Sequence, residues 1–191
     1  MVRAVNTAAP MPHATSTALI LTGLPASGKS TCARALAEAL GWPCFDKDDF
    51  LEALYEEALP ATTDQRRQLS RRSDDLFREA ATQANNAVLV SHWASPRGPE
   101  GTGTDTGWIG THFGHVIEVH CACSPDTAAQ RFIARRRHPG HLDHLRPAEQ
   151  VIAQMRALAP GFPLSLWPLI TLDTERAPDM HTAISRVRTL L

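Results

Sequence analysis

The feature that most constrains this chain is the run Gly23-Leu24-Pro25-Ala26-Ser27-Gly28-Lys29-Ser30. It fills every fixed position of the pattern G-x-x-x-x-G-K-[ST]. Ahead of it stands Ala18-Leu19-Ile20-Leu21-Thr22, an apolar run of strand length. Behind it, Cys32, Ala33, Leu36, Ala37 and Leu40 recur at helical spacing on one face. A buried strand that turns through glycines into a helix leaves successive backbone N–H groups pointing inward. The helix adds the positive end of its dipole. Such a nest holds phosphate oxygens.

The remainder of the chain alternates in the same way, which indicates an α/β fold with a parallel sheet. Strands are predicted at residues 18–22, 43–45, 87–90, 115–121 and 169–172. Helices are predicted at 29–40, 50–58, 64–84, 147–158 and 178–191. A further helix starts at Ser124-Pro125-Asp126, with Ser as N-cap, and runs into Arg135-Arg136-Arg137. Residues 97–110 carry five glycines and one proline and read as a long flexible loop. Five strands with helices between them make one three-layer domain over residues 17–191. Residues 1–16 lack the apolar core of a signal peptide and read as a flexible tail.

Composition narrows the partners. Lys and Arg number 19 against 20 Asp and Glu, so no basic excess points to nucleic acid. No apolar run approaches the roughly 18–20 residues that span a bilayer. Four cysteines without a CxxC pair read as reduced thiols of a cytoplasmic protein. The nine histidines show no zinc spacing, and His138 and His141 read as lid residues, not ligands.

Each position of the loop then has a chemical reason. The backbone of Gly23, Leu24, Pro25, Ala26, Ser27, Gly28 and Thr31 surrounds the phosphates of ATP. Lys29 reaches the β- and γ-phosphates, and the Ser30 hydroxyl ligates Mg²⁺. Asp46, Asp48 and Asp49 follow the second strand. Ligands of open α/β sheets bind beyond the carboxyl ends of strands. A carboxylate there can orient a hydroxyl and take its proton. Asp48 is the candidate base, and Asp49 is expected to cap the helix that follows.

The run GLPASGKST resembles the loop of small P-loop kinases: gluconate kinases, chloramphenicol phosphotransferases, polynucleotide 5′-hydroxyl kinases and zeta-toxin-type kinases. The resemblance implies a P-loop NTPase fold, with a five-stranded parallel sheet and an arginine-bearing lid over residues 131–146. Asp48-Asp49-Phe50 is similar to the Asp-Asp-aromatic run of polynucleotide kinases, whose first Asp is the base. Related kinases often place an arginine three residues later, where this chain has Leu51. That departure speaks against a phosphate-bearing or polynucleotide acceptor. Arg131 and Arg135, four apart and so expected on one helix face, are the candidate lid arginines that stabilise the transferring phosphoryl group. The resemblance also makes Asp173 and Thr174, after the fifth strand, candidate nucleotide contacts. The third strand ends in Ser91 where many relatives carry a metal-binding carboxylate. Ser91 through water, or Asp46 or Asp48, is expected to take that place. The arginines between 66 and 78, interleaved with acids, read as a solvated ion-paired face.

The lead expectation is therefore an ATP-dependent kinase acting on a small-molecule hydroxyl. A polynucleotide 5′-hydroxyl kinase and an acceptor-free nucleotide switch are the alternatives.

Overall fold

The computed structural model describes residues 13–98 and 102–191. Strand β1 (His13–Thr22) leads to helix α1 (Lys29–Leu40), β2 (Cys44–Asp46), α2 (Lys47–Glu57), α3 (Thr63–Thr82) and β3 (Asn86–Val90). Then come α4 (Ile109–His112), β4 (Phe113–Ala122), α5 (Pro125–Ala134), α6 (Ala148–Leu158), β5 (Leu169–Asp173) and α7 (Met180–Leu190). The strands form one sheet of order β2-β3-β1-β4-β5, parallel throughout. This is the expected five-stranded α/β architecture.

The central strands are apolar at consecutive positions because both of their faces are covered. Leu19, Leu21, Val88 and Val119 pack against Cys32 and Leu36 of α1 and Val187 of α7. Ala18, Ile20, Ala87 and Leu89 face the opposite way, onto Phe77 and Ala81 of α3 and Trp93. A third cluster joins Leu24, in the glycine loop, to Phe132 of α5 and to Val151 and Met155 of α6. The base of the lid is thus packed on the phosphate loop itself.

Several boundaries differ from expectation. β1 reaches back to His13, whose partner is Phe113, so residues 13–16 are strand and not tail. The rest of the expected tail, residues 1–12, lies outside the described residues. α2 starts at Lys47 because Asp46 caps it, its carboxylate accepting the Asp48 N–H at 3.1 Å. Asp49, expected as the cap, instead lies 3.5 Å from Arg34.

α5 begins as expected, with Ser124 accepting the Thr127 N–H and Pro125 in the first turn. It stops at Ala134, however, and Arg135 is extended, with φ −73° and ψ 148°. Helical propensity alone would carry the arginines onward. The residues that follow instead run across to α2, Arg137 meeting Asp48 and His141 meeting Glu52, so Arg131 and Arg135 do not share a helix face. The loop of 97–110, of which 99–101 lie outside the described residues, is tethered. Thr104 bridges to Trp93, and the buried Trp93 indole donates to the Leu21 carbonyl at 2.8 Å. Among the described residues no helix is long and apolar enough to cross a membrane.

Candidate active site

The glycine loop sits between β1 and α1, at the carboxyl edge of the central strand. Gly23 has φ +131°, and a Cβ there would lie 2.5 Å from the Cys121 carbonyl oxygen. Only glycine fits. Gly28 caps α1 with φ +96°, and nothing lies within 4 Å of where its Cβ would project. Ala26 takes φ +63°, a conformation that a residue with a side chain adopts only when its surroundings enforce it. Lys29 folds back on this loop, its ammonium donating to the carbonyls of Gly23 at 3.0 Å and Leu24 at 2.8 Å. Burial pushes its pKa below the ordinary value. The Ser27 hydroxyl is buried with no protein partner.

Pro25, Ala26, Gly28, Lys29, Ser30 and Thr31 line a cavity of about 970 Å³. Leu24 turns away from it into the cluster beneath the lid. The Ser30 hydroxyl donates to the Asp46 carboxylate at 2.5 Å. Burial pushes the Asp46 pKa up, against the Ser30 hydrogen bond that favours its charged form. An orphaned buried hydroxyl, a lysine held only by loop carbonyls and a hydroxyl–carboxylate pair fit a polyphosphate with a hard oxygen-seeking cation. Ser91 lines the same cavity. Its Oγ lies 2.6 Å from Thr104 Oγ1, which donates to Asp74 at 2.7 Å, and Asp74 pairs with Lys47 at 2.7 Å.

Asp48, in the first turn of α2, lines the same cavity and is half exposed. Its partner is Arg137, with 2.5 Å between guanidinium and carboxylate. Burial works to raise the Asp48 pKa. The nearby charges of Arg137, His141, Arg135 and Lys29 outweigh it, so the carboxyl is held below its usual range. Arg137 is anchored from behind by Asp143 at 3.4 Å.

The lid is clamped to α2 beyond this pair. His141 meets Glu52 at 2.8 Å and His138 meets Glu56 at 3.1 Å. Tyr55 lies between, stacked on His138 and edge-on to His141. Asp48, Glu52 and Glu56 recur every four residues, so one face of α2 presents three carboxylates to the lid. That spacing, opposite a cationic 135–141 segment, was a signal in the sequence that the lid docks here.

The two predicted lid arginines have different surroundings. Arg135 lines the cavity, stacks over Phe132 at 4.2 Å and lies 3.6 Å from Asp143. Burial, then the neighbouring Arg137, lowers its pKa to about 10. Arg131 also lines the cavity, but its guanidinium donates to the carbonyls of Thr174 at 2.7 Å and Glu175 at 3.0 Å. Thr174 is buried and its hydroxyl donates to the Ala122 carbonyl, while Asp173 accepts the Glu175 N–H. Asp173 and Thr174 shape the loop after β5 and do not line the cavity. Sequence reasoning passed over Glu118, fully buried in β4. It accepts from Thr22 and from the backbone of Leu164 and Ser165, and so braces the strand that ends in the phosphate loop.

The chain matches the AAA domain family over residues 19–161, which is most of its length. The chain belongs to the AAA domain family. No curated protein matches it. Among solved structures, this AAA domain is similar to a presumptive kinase from Chloroflexus aurantiacus J-10-fl. The two are 26% identical with a TM-score of 0.75, over 93% of this chain and 99% of that one. A gluconokinase from Sinorhizobium meliloti 1021 (18% identity, TM-score 0.55, 92% and 94% covered) shares its fold. So does a shikimate kinase from Bacteroides thetaiotaomicron (18%, TM-score 0.54, 91% and 97% covered). The fold of this AAA domain is that of the small P-loop kinases.

Proposed function

We propose that the protein is an ATP-dependent kinase that transfers the γ-phosphate to a hydroxyl of a small molecule. The observation that carries this reading is the convergence of Lys29, Ser30 and Asp48 on one cavity roofed by lid arginines. Ser30 and Asp46 would hold Mg²⁺, which neutralises charge on the phosphate oxygens when bound. Lys29 leaves the loop carbonyls and turns its ammonium to the phosphate chain. Asp48 is ionised at neutral pH, so it can accept a hydrogen bond from the acceptor hydroxyl and aim its oxygen. The new P–O bond forms as the bond to the bridging oxygen breaks, and the hydroxyl proton passes to Asp48. Arg137 and Arg135 stand where negative charge spreads during transfer, and the closed lid excludes water.

The test is ADP release measured with a panel of sugar acids, neutral sugars, antibiotics and a 5′-hydroxyl oligonucleotide. The oligonucleotide is included because so many arginines line the cavity. One class should stimulate release and yield a phosphorylated product. Asp48→Asn should lower that rate by about 10²- to 10⁴-fold while ATP·Mg²⁺ binding persists. Stimulation that survives Asp48→Asn sinks the assignment of the base. ATP turnover indifferent to every acceptor favours a nucleotide switch.

A further inference from the structure

We propose that the acceptor pocket is an anion site. It takes an alcohol that also bears a carboxylate or phosphate group, held by Arg66 and Arg71 of α3 with Arg146 of the lid. On the kinase reading above, this anion is the phosphoryl acceptor itself.

The chain as a whole is charge-balanced, yet the cavity is not. Nine Lys and Arg side chains line it against four carboxylates. Those carboxylates are already committed. Asp46 accepts from Ser30, Asp48 pairs with Arg137, Asp74 with Lys47, and Asp143 with Arg135 and Arg137. ATP·Mg²⁺ carries about two net negative charges, too few to neutralise the surplus.

The surplus lies beside α2, not beside the phosphate loop. Arg66, Arg67, Ser70, Arg71 and Asp74 of α3 line the cavity, and α3 packs on α2 and β2, the elements that present Asp48 and Asp46. The expected ion pairs of α3 do form, but at Asp64–Arg67 and Asp75–Arg78. Arg66 and Arg71 make no ion pair among the described residues, and Arg66 Nε is buried without a partner. Arg146 likewise makes no ion pair among the described residues, although the Asp143 carboxylate favours its charged form. It donates to Gln154 at 3.2 Å and lies over Phe132. Burial lowers its pKa, the Asp143 carboxylate works against this, and the positive charges of Arg66 and Arg137 add to the lowering.

Three guanidinium groups that line one cavity, none of them in an ion pair, repel one another. A carboxylate or phosphate relieves that repulsion and matches the guanidinium fork in two-point hydrogen bonds. Leu51 is an apolar part of the lining, so the charge missing from that position on α2 is supplied from α3.

The experiment is calorimetric titration of the full chain, saturated with a non-hydrolysable ATP analogue and Mg²⁺. The probes are inorganic phosphate, malonate, and matched pairs: D-gluconate against sorbitol, and glycerol 3-phosphate against glycerol. Anions should bind and their neutral partners should not. The better of the carboxylate and phosphate arms identifies the group. Arg66→Gln and Arg71→Gln should weaken anion binding about tenfold or more, and Arg66→Lys should restore part of it. The affinity for the ATP analogue should move less than about twofold, which also shows that the variants fold. Absence of anion binding, or binding equal in the glutamine variants, overturns the proposal. The same probes in the ADP-release assay separate the two readings. Arg66-dependent anion binding without any phosphorylated product leaves the anion site and removes the kinase. A neutral alcohol phosphorylated equally by wild type and Arg66→Gln does the reverse.

Discussion

The two halves of the cavity are built by different means. The phosphate loop is made by consecutive residues. Gly23 and Gly28 take positive φ, Lys29 bonds to carbonyls five and six positions away, and α1 starts where the loop ends. The opposite half is made by residues that meet only in three dimensions. Asp48 and Arg137 are 89 positions apart, as are Glu52 and His141. A local site depends on backbone conformation, whereas a distant one depends on how well elements dock. The first should therefore fail sharply to small changes in its own residues, and the second should fail gradually.

Gly23→Ala gives the largest expected effect on that contrast. It combines a positive φ with a Cβ 2.5 Å from a backbone oxygen that cannot move freely. We expect loss of tight ATP·Mg²⁺ binding and a stability loss of about 3 kcal/mol or more, read by nucleotide titration and denaturant unfolding. Near-normal binding would mean that the loop is not held by its neighbours.

Arg137→Gln comes next and should change the pH profile as well as the rate. Asp48 would lose the first of the positive charges that hold its pKa down, while burial would still push it up. The acid limb of kcat/KM should move to higher pH, and the rate at neutral pH should fall by about tenfold to a hundredfold. An unmoved acid limb would show that Asp48 is not the titrating group. The same depressed pKa contributes stability above the ordinary carboxylate range, and this is lost as pH falls through the folded value. Because Asp48 is half exposed, that contribution is small.

Gly140→Ala is the mildest. Its Cβ would meet the Tyr55 ring at 2.5 Å, but the lid can shift outward to relieve the contact. We expect about 1–3 kcal/mol of destabilisation, a raised KM for the acceptor, and ATP·Mg²⁺ affinity within about threefold of wild type. A cost exceeding that of Gly23→Ala would invert the comparison.

The same division separates what could be read from residues alone. The five strands, the parallel arrangement and the loop followed from apolar runs and glycine spacing. Helix ends were read less well where a tertiary partner intervened. Asp46 advanced the start of α2 by capping it, and α5 ends at Ala134, where the chain crosses to α2. The α3 arginines were expected on a solvated face because interleaved acids suggest local pairs. Arg67 and Arg78 do pair locally, yet Arg66 and Arg71, and Arg67 despite its pair with Asp64, line the cavity.

The sequence by itself determined the phosphate loop, because turn geometry, backbone donors and the helix dipole are all properties of adjacent residues. Only the tertiary structure decided that Arg137 meets Asp48, that Arg131 instead grips the loop after β5, and that α3 supplies charge to the cavity. Those outcomes depend on packing between elements far apart in the chain, where local periodicity says which residues share a face but not what that face will meet.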